Sequence, residues 1–246
     1  MSDSIVIIPT YNEKENIEAI IRAVFSLEKD FHILIVDDNS PDGTANIVRQ
    51  LQEEFSNSLH LVERNGKLGL GTAYILGFKW CLERNYEYIF EMDADFSHNP
   101  KDLCRLYKAA EANKPALVIG SRYISGVNVV NWPIGRILMS YYGSAYVRII
   151  SGIPVRDTTA GFVCYHRSIL ETIDFTKIKM KGYGFQIEMK FYSWKIGANV
   201  VEIPIIFTDR KYGHSKMSGG IFKEAIVGVF KMKLSSFFTK YPKLST

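Results

Sequence analysis

Short apolar runs alternate along this chain with stretches whose apolar positions recur every three to four residues. Ile5-Val6-Ile7-Ile8, Ile33-Leu34-Ile35-Val36, Leu59-His60-Leu61-Val62, Tyr88-Ile89-Phe90 and Ala116-Leu117-Val118-Ile119-Gly120 read as buried strands. Between the first of them, Ile17, Ile20, Ile21, Val24 and Phe25, then Ile47, Val48, Leu51 and Phe55, keep helical spacing. Further helices are predicted over about 72–84, 100–113, 134–150 and 182–195, with strands at 163–165 and 200–205. Such alternation predicts an α/β fold, a mostly parallel sheet flanked by helices and wound by right-handed crossovers.

Three of these strands stop in polar clusters: Pro9-Thr10-Tyr11-Asn12-Glu13, Asp37-Asp38-Asn39-Ser40-Pro41-Asp42-Gly43, and Glu91-Met92-Asp93-Ala94-Asp95-Phe96-Ser97-His98. In an open parallel sheet the carboxyl ends of the strands line one crevice, where ligands bind. Asp93 and Asp95 stand two apart in extended chain and point the same way. Paired carboxylates of this kind suit Mg²⁺ or Mn²⁺, which fills its remaining positions with water and substrate phosphate oxygens. Asp also commonly ends strands and caps helices, so the pair alone leaves a plain turn open; its repetition at three strand ends weighs against that.

The segment Gly66-Lys67-Leu68-Gly69-Leu70-Gly71 matches neither usual nucleotide-loop pattern, because Thr72-Ala73 replaces Lys-Ser/Thr and the first strand ends in Pro9-Thr10. It is expected to close over a ligand, with a plain helix entry as the alternative. Arg122, at the end of the fifth strand, is placed to face a diphosphate. Arg136 and Ser140, four apart, share a helix face, which by itself is an ordinary solvated edge. For Glu188 a core-edge salt bridge and an orienting role in a site are both open. The basic loop containing Arg210 and Lys216 suits phosphate, and Ile221, Phe222, Ile226, Val229, Phe230 and Phe237 form an apolar stripe on a basic helix that can lie in a membrane interface or dock on its own domain.

Composition changes this picture little. Of 246 residues 47% are apolar, enough for a large core, and the net charge of +4 hides acidic strand ends and a basic C-terminal region. Cys81, Cys104 and Cys164 are expected to be buried thiols in a reducing compartment. A secretory signal is not expected, and no run approaches the roughly 20 apolar residues that cross a bilayer. The expected division is a catalytic domain over 1–217 and an amphipathic, membrane-associating helix and tail over 218–246.

Together the motifs are more specific than any one of them. Pro-Thr-Tyr-Asn-Glu at 9–13, Val-Asp-Asp-Asn-Ser-Pro-Asp-Gly-Thr at 36–44, Gly-Leu-Gly-Thr-Ala at 69–73, Met-Asp-Ala-Asp-Phe-Ser-His-Asn-Pro at 92–100 and Gly-Ser-Arg-Tyr at 120–123 resemble the inverting glycosyltransferases of family 2, which have the GT-A fold, and among them the dolichol- or polyprenol-phosphate mannose synthases. The resemblance implies that Pro9, Tyr11, Glu13, Val36 and Asp38 hold the nucleoside, that Asp93, Ala94 and Asp95 meet the diphosphate and metal, and that Arg122, Arg210 and Lys216 contact the donor. It also implies that Arg136 and Ser140 grip a lipid phosphate. Ser97 stands where relatives often carry Gln; as a shorter metal ligand it is expected to act directly or through a water bridge. The implied reaction moves mannose from GDP-mannose to a polyprenyl or dolichyl phosphate on the cytoplasmic face of a membrane, with Mg²⁺ or Mn²⁺ and without nucleic acid. UDP-glucose or another sugar nucleotide, with a lipid, glycan or protein acceptor, is the alternative, and a non-catalytic nucleotide-binding, membrane-docking module is a third reading.

Overall fold

The computed structural model describes residues 2–180, 182–209 and 219–244, with side chains in the last stretch from residue 226 onward. Nine strands and eight α-helices are found among them: β1 (Ser4–Thr10), α1 (Ile17–Phe25), β2 (His32–Asp37), α2 (Thr44–Glu54), β3 (Leu59–Glu63), α3 (Leu70–Leu82), β4 (Tyr88–Glu91), α4 (Asp102–Ala112) and β5 (Ala116–Ser121), then β6 (Val129–Val130), α5 (Ile134–Ser151), β7 (Val163–His166), α6 (Arg167–Thr172), α7 (Tyr183–Lys195), β8 (Asn199–Pro204), β9 (Phe207–Thr208) and α8 (Gly219–Ser236). Seven strands make one sheet in the order β3-β2-β1-β4-β7-β5-β8.

Alternation along the strands sorts the core into two layers. Ile5, Ile7, Leu34 and Val36 face α3 and α7, whereas Val6, Ile8, Ile33 and Ile35 face α1, α2 and α4. Each fully buried Ile or Val contributes about 1.5–3 kcal/mol relative to an exposed one. On the first face α3 lies close enough that a Cβ on Gly77 would meet Ile7 at 2.9 Å, and one on Gly71 would meet the Phe185 ring at 2.8 Å. Glycine at these two points sets how near α3 approaches the sheet and α7.

The parallel expectation holds for β1 with β2 and β4, β2 with β3, and β5 with β8. The exception within this mostly parallel sheet is β7, which runs antiparallel between β4 and β5. This reversal positions the site. Because β7 runs the other way, the chain leading into it, Asp157 to Phe162, arrives at the same sheet edge where β4 and β5 end. Glu91 pairs with Val163, and the Gly120 amide donates to the Phe162 carbonyl at 2.8 Å. The small parallel pair β6 and β9 sits apart from the main sheet and brings Trp132 and Phe207 together, their ring centres 5.2 Å apart.

The C-terminal helix packs on its own domain. Val229 is buried with Val147 and Ile187, the Tyr146 hydroxyl donates to the Ile226 carbonyl at 3.1 Å, and Lys233 donates to the Ser151 carbonyl at 3.0 Å. Beyond α8, Tyr241 packs on Phe191 and Tyr192, and the Leu244 amide reaches the Ile196 carbonyl. Of the expected stripe, Ile226, Phe230 and Phe237 are exposed; the side chains of Ile221 and Phe222 lie outside those described. Cys81 and Cys164 are buried thiols, but Cys104 is only half-buried because α4 turns it toward the rim of its layer.

Candidate active site

A cleft of about 510 Å³ opens along the carboxyl edge of the sheet. At one end Pro9 lies near the end of β1, Tyr11 and Glu13 follow that strand, and Asp38 follows β2. Their loops are laced together by local hydrogen bonds: Thr10 Oγ1 donates to Asp37 Oδ1 at 2.7 Å, the Asn12 amide to Ser40 Oγ at 3.0 Å, and the Glu13 amide to Thr44 Oγ1 at 3.1 Å. Asn12 and Asn39 take the left-handed conformation, at φ 57° and 58°, which Asn tolerates better than most side chains. Val36 does not line the cleft. It is fully buried, paired with Pro9 and packed into the α3-side layer, so its side chain underlies the strand end.

Arg64 organises this end. Its Nε donates to Asp38 Oδ1 at 2.6 Å, one terminal nitrogen donates to Thr72 Oγ1 at 2.7 Å, and the other reaches the Gly69 carbonyl. Burial raises the Asp38 pKa above its ordinary value, with Arg64 pulling the other way. The same guanidinium therefore joins the β2 end to the glycine segment. Gly69, at φ 100°, turns that segment into α3 in a conformation that disfavours other residues, and Lys67 stands 4.9 Å over the Tyr11 ring.

Asp93, Ala94 and Asp95 line the middle of the cleft. Ser97 does not: it is buried, and its backbone amide donates to Asp95 Oδ1 at 3.0 Å, so its observed part is to hold that carboxylate. His98 stacks on Phe162 at 4.8 Å and accepts the Asp93 amide proton on Nδ1 at 3.2 Å. Burial pulls its pKa down to about 4, which leaves the ring neutral with its proton on Nε2. The 3.9 Å approach of His98 to the Asp93 carboxylate is thus not an ion pair. Two carboxylates on one strand end fit a hard cation that takes the rest of its shell from phosphate and water. Among the described residues no cluster of three or more His, Cys, Asp or Glu offers a complete protein cage.

Beneath this floor, Gln186 Nε2 donates to Glu91 Oε2 at 2.7 Å, and Lys190 donates to the Ala160 carbonyl at 2.6 Å and to Gln186 Oε1 at 3.1 Å. Burial pushes the Glu91 carboxyl up and the Lys190 ammonium down, while their mutual attraction opposes both shifts.

Arg122 is buried and has a protein partner that the sequence did not show. Nε and a terminal nitrogen clasp Asp157 at 2.7 and 2.6 Å, with a further bond to Thr159 at 2.8 Å, so the guanidinium lines the cleft while bound to a carboxylate 35 residues away. Burial alone would raise the Asp157 pKa; Arg122 outweighs it and holds the carboxyl below its ordinary value. Glu202 in turn accepts the Arg156 and Asp157 amides at 2.7 and 2.9 Å. Glu188 accepts the amides of Lys179 and Met180 at 2.8 and 2.7 Å, which ties that segment to α7.

A second cavity of about 560 Å³, largely apolar, runs between α5, α7 and α8. It shares Arg122, Trp132, Arg136, Thr159 and Tyr183 with the cleft, so the two spaces meet at a polar neck. Arg136 lies 3.9 Å over the Trp132 ring and pairs with Asp209 at 3.0 Å. Ser140 lines only the second cavity and accepts the Tyr123 hydroxyl at 2.7 Å. Arg210 and Lys216 lie outside the described residues.

Sequence reading gave no individual role to Arg64, Lys67, Trp132, Tyr183, Gln186 or Lys190, and named Glu91 only within the polar cluster that ends its strand. Of the residues given no role, only Lys67 carried a signal, its place in the glycine segment. The others depend on contacts between residues far apart in the chain.

Residues 5–174 match the family described as Glycosyl transferase family 2. Polyprenol monophosphomannose synthase of Mycolicibacterium smegmatis is 45% identical over 226 residues, covering 92% of this chain and 85% of that protein. Undecaprenyl-phosphate mannosyltransferase of Micrococcus luteus is 44% identical over 232 residues, 94% of each. Among solved structures, glucosyl-3-phosphoglycerate synthase of Mycobacterium tuberculosis, in complex with Mn²⁺, uridine diphosphate and glucosyl-3-phosphoglycerate, superposes with a TM-score of 0.64 at 15% identity over 93% of this chain and 79% of that one, a likeness of fold. With most of its length matched by the family and by relatives well above 40% identity, the chain belongs to glycosyltransferase family 2.

Proposed function

We propose that the protein transfers mannose from GDP-mannose to a polyprenyl monophosphate, giving polyprenyl phosphate mannose and GDP. The observation that carries this reading is the junction of the two cavities. A polar cleft with paired carboxylates opens through Arg122, Arg136 and Tyr183 into an apolar groove, as a water-soluble donor and a lipid acceptor require. The names of the two relatives at about 45% identity support the same substrates.

In this reading Pro9, Tyr11, Glu13 and Asp38 hold the nucleoside. The Asp38 carboxylate is an acceptor that suits the N–H edge of guanine. Asp93 and Asp95 would hold Mg²⁺ or Mn²⁺, which supplies positive charge to the diphosphate leaving group. Arg122, kept in place by Asp157, adds fixed positive charge at the neck, and the resemblance assigns Arg210 and Lys216 to the same donor. Arg136 and Ser140 take the acceptor phosphate, and the isoprenoid follows the groove.

A phosphate monoester has its second pKa near 6 and is largely dianionic at neutral pH. Its oxygen attacks the anomeric carbon, the bond to the β-phosphate oxygen breaks, and the electron pair leaves with GDP. The nucleophile arrives already ionised, so the step needs no protein base, and a single displacement inverts the anomer.

The membrane is met peripherally, on its cytoplasmic face. No helix among the described residues is long and apolar enough to cross a bilayer. Ile134 and Ile149 on α5 and Phe237 and Phe238 after α8 are among the most exposed apolar side chains, Phe238 at 92%, and Lys240 and Lys243 follow closely.

Incubation with labelled GDP-mannose or UDP-glucose, a polyprenyl phosphate and Mn²⁺, followed by lipid extraction, tests the reading. Label in lipid from GDP-mannose is expected. Label from UDP-glucose alone would move the assignment to another donor, and no transfer from either would overturn it.

A further inference from the structure

We propose that Lys190 is a positioning residue for diphosphate binding: from beneath the cleft its ammonium locks the carboxylate-bearing end of β4 to the loop that holds Arg122. The proposal rests on the reading of the cleft as a nucleoside-diphosphate site.

Lys190 is fully buried, and its three donors meet three acceptors: the Ala160 carbonyl at 2.6 Å, the Gln186 carbonyl at 3.2 Å and Gln186 Oε1 at 3.1 Å. An ammonium has only donors, so it fixes the Gln186 amide with oxygen toward Lys190 and nitrogen toward Glu91 Oε2. Glu91 ends β4, two residues before Asp93. On the other side, Ala160 belongs to the loop whose Asp157 and Thr159 clasp Arg122. One buried cation thus joins the two elements that flank the space where a β-phosphate would lie, and both Gln186 and Ala160 line the cleft. Burying an ammonium costs several kcal/mol, and an apolar chain of similar length would fill the space without that cost. The arrangement serves the geometry of the groups above it, as outer partners of metal ligands do elsewhere.

Calorimetric titration of the full chain with GDP and with GMP, each in Mn²⁺, tests this. GMP keeps the base, ribose and first phosphate and lacks the second. For Lys190→Met, the GDP Kd is expected to rise about 10–100-fold, the scale of lost outer-partner contacts, with GMP affinity unchanged. Gln186→Met, which cuts the link to Glu91 and leaves the Ala160 bond, is expected to show the same selective loss and decides the matter if Lys190→Met does not fold. Unchanged GDP affinity in the variants, or equal weakening of GDP and GMP, would overturn the proposal. Wild-type protein that binds GMP as tightly as GDP would overturn the diphosphate reading beneath it.

Discussion

Asp157 is buried with Arg122, and removing one member of a buried pair leaves the other charge uncompensated, at a cost of about 3–5 kcal/mol. Asp157→Asn is expected to lose stability on that scale in urea unfolding near pH 7. Because the folded carboxyl sits below its ordinary pKa of about 4, its contribution is present above that value and fades as pH falls through the folded one. The gap between wild type and variant should therefore narrow below about pH 4; a constant gap would contradict the pairing. Gly71→Ala places a methyl 2.8 Å from the Phe185 ring and is expected to cost about 1–3 kcal/mol, read from the unfolding midpoint. At this scale Asp93, Asp95 and Asp38 were legible, since each follows an apolar run whose end marks a sheet edge. Arg122 was legible as a site residue but not as the partner of Asp157, because a pair 35 residues apart leaves no local pattern. Lys190 was invisible: a lysine on a helix reads as solvated until neighbouring elements close over it.

The helices of the first half could be read from their period, and its strands from the short apolar runs that alternate with them. β7 could not be oriented, since the three apolar residues Val163 to Tyr165 carry no direction, and β6 and β9 are too short to show any period. These are the elements that bring Thr159, Trp132 and Phe207 to the cleft, so that side of the site was hidden with them. The stripe on α8 was legible, but which side of it faces protein was not: Val229 is buried while Phe230 beside it is exposed. For the outward face, Phe237→Ser with Phe238→Ser is expected to reduce sedimentation with anionic vesicles, and salt should weaken what binding remains. Sedimentation equal to wild type would mean that these rings do not meet lipid.

Across the whole molecule, the cleft and the groove share, among the described residues, the neck that Arg136 helps to form, and in the proposed reading donor and acceptor enter from either side of it. Arg136→Ala is expected to raise KM for the lipid acceptor roughly 10–100-fold, the loss of a charge-assisted hydrogen bond, with little change in KM for GDP-mannose; an equal rise in both would place Arg136 elsewhere. Asp95→Ala should abolish transfer while its circular dichroism matches wild type, and full activity would remove the carboxylate pair from the reaction. The proposed reaction is one displacement across the neck, with the acceptor oxygen attacking opposite the departing diphosphate. The anomeric configuration of the lipid product, read by NMR from the one-bond C1–H1 coupling, tests this most directly: a β-linked mannosyl phosphate formed from the α-linked donor is the predicted result, and an α-linked product would contradict it.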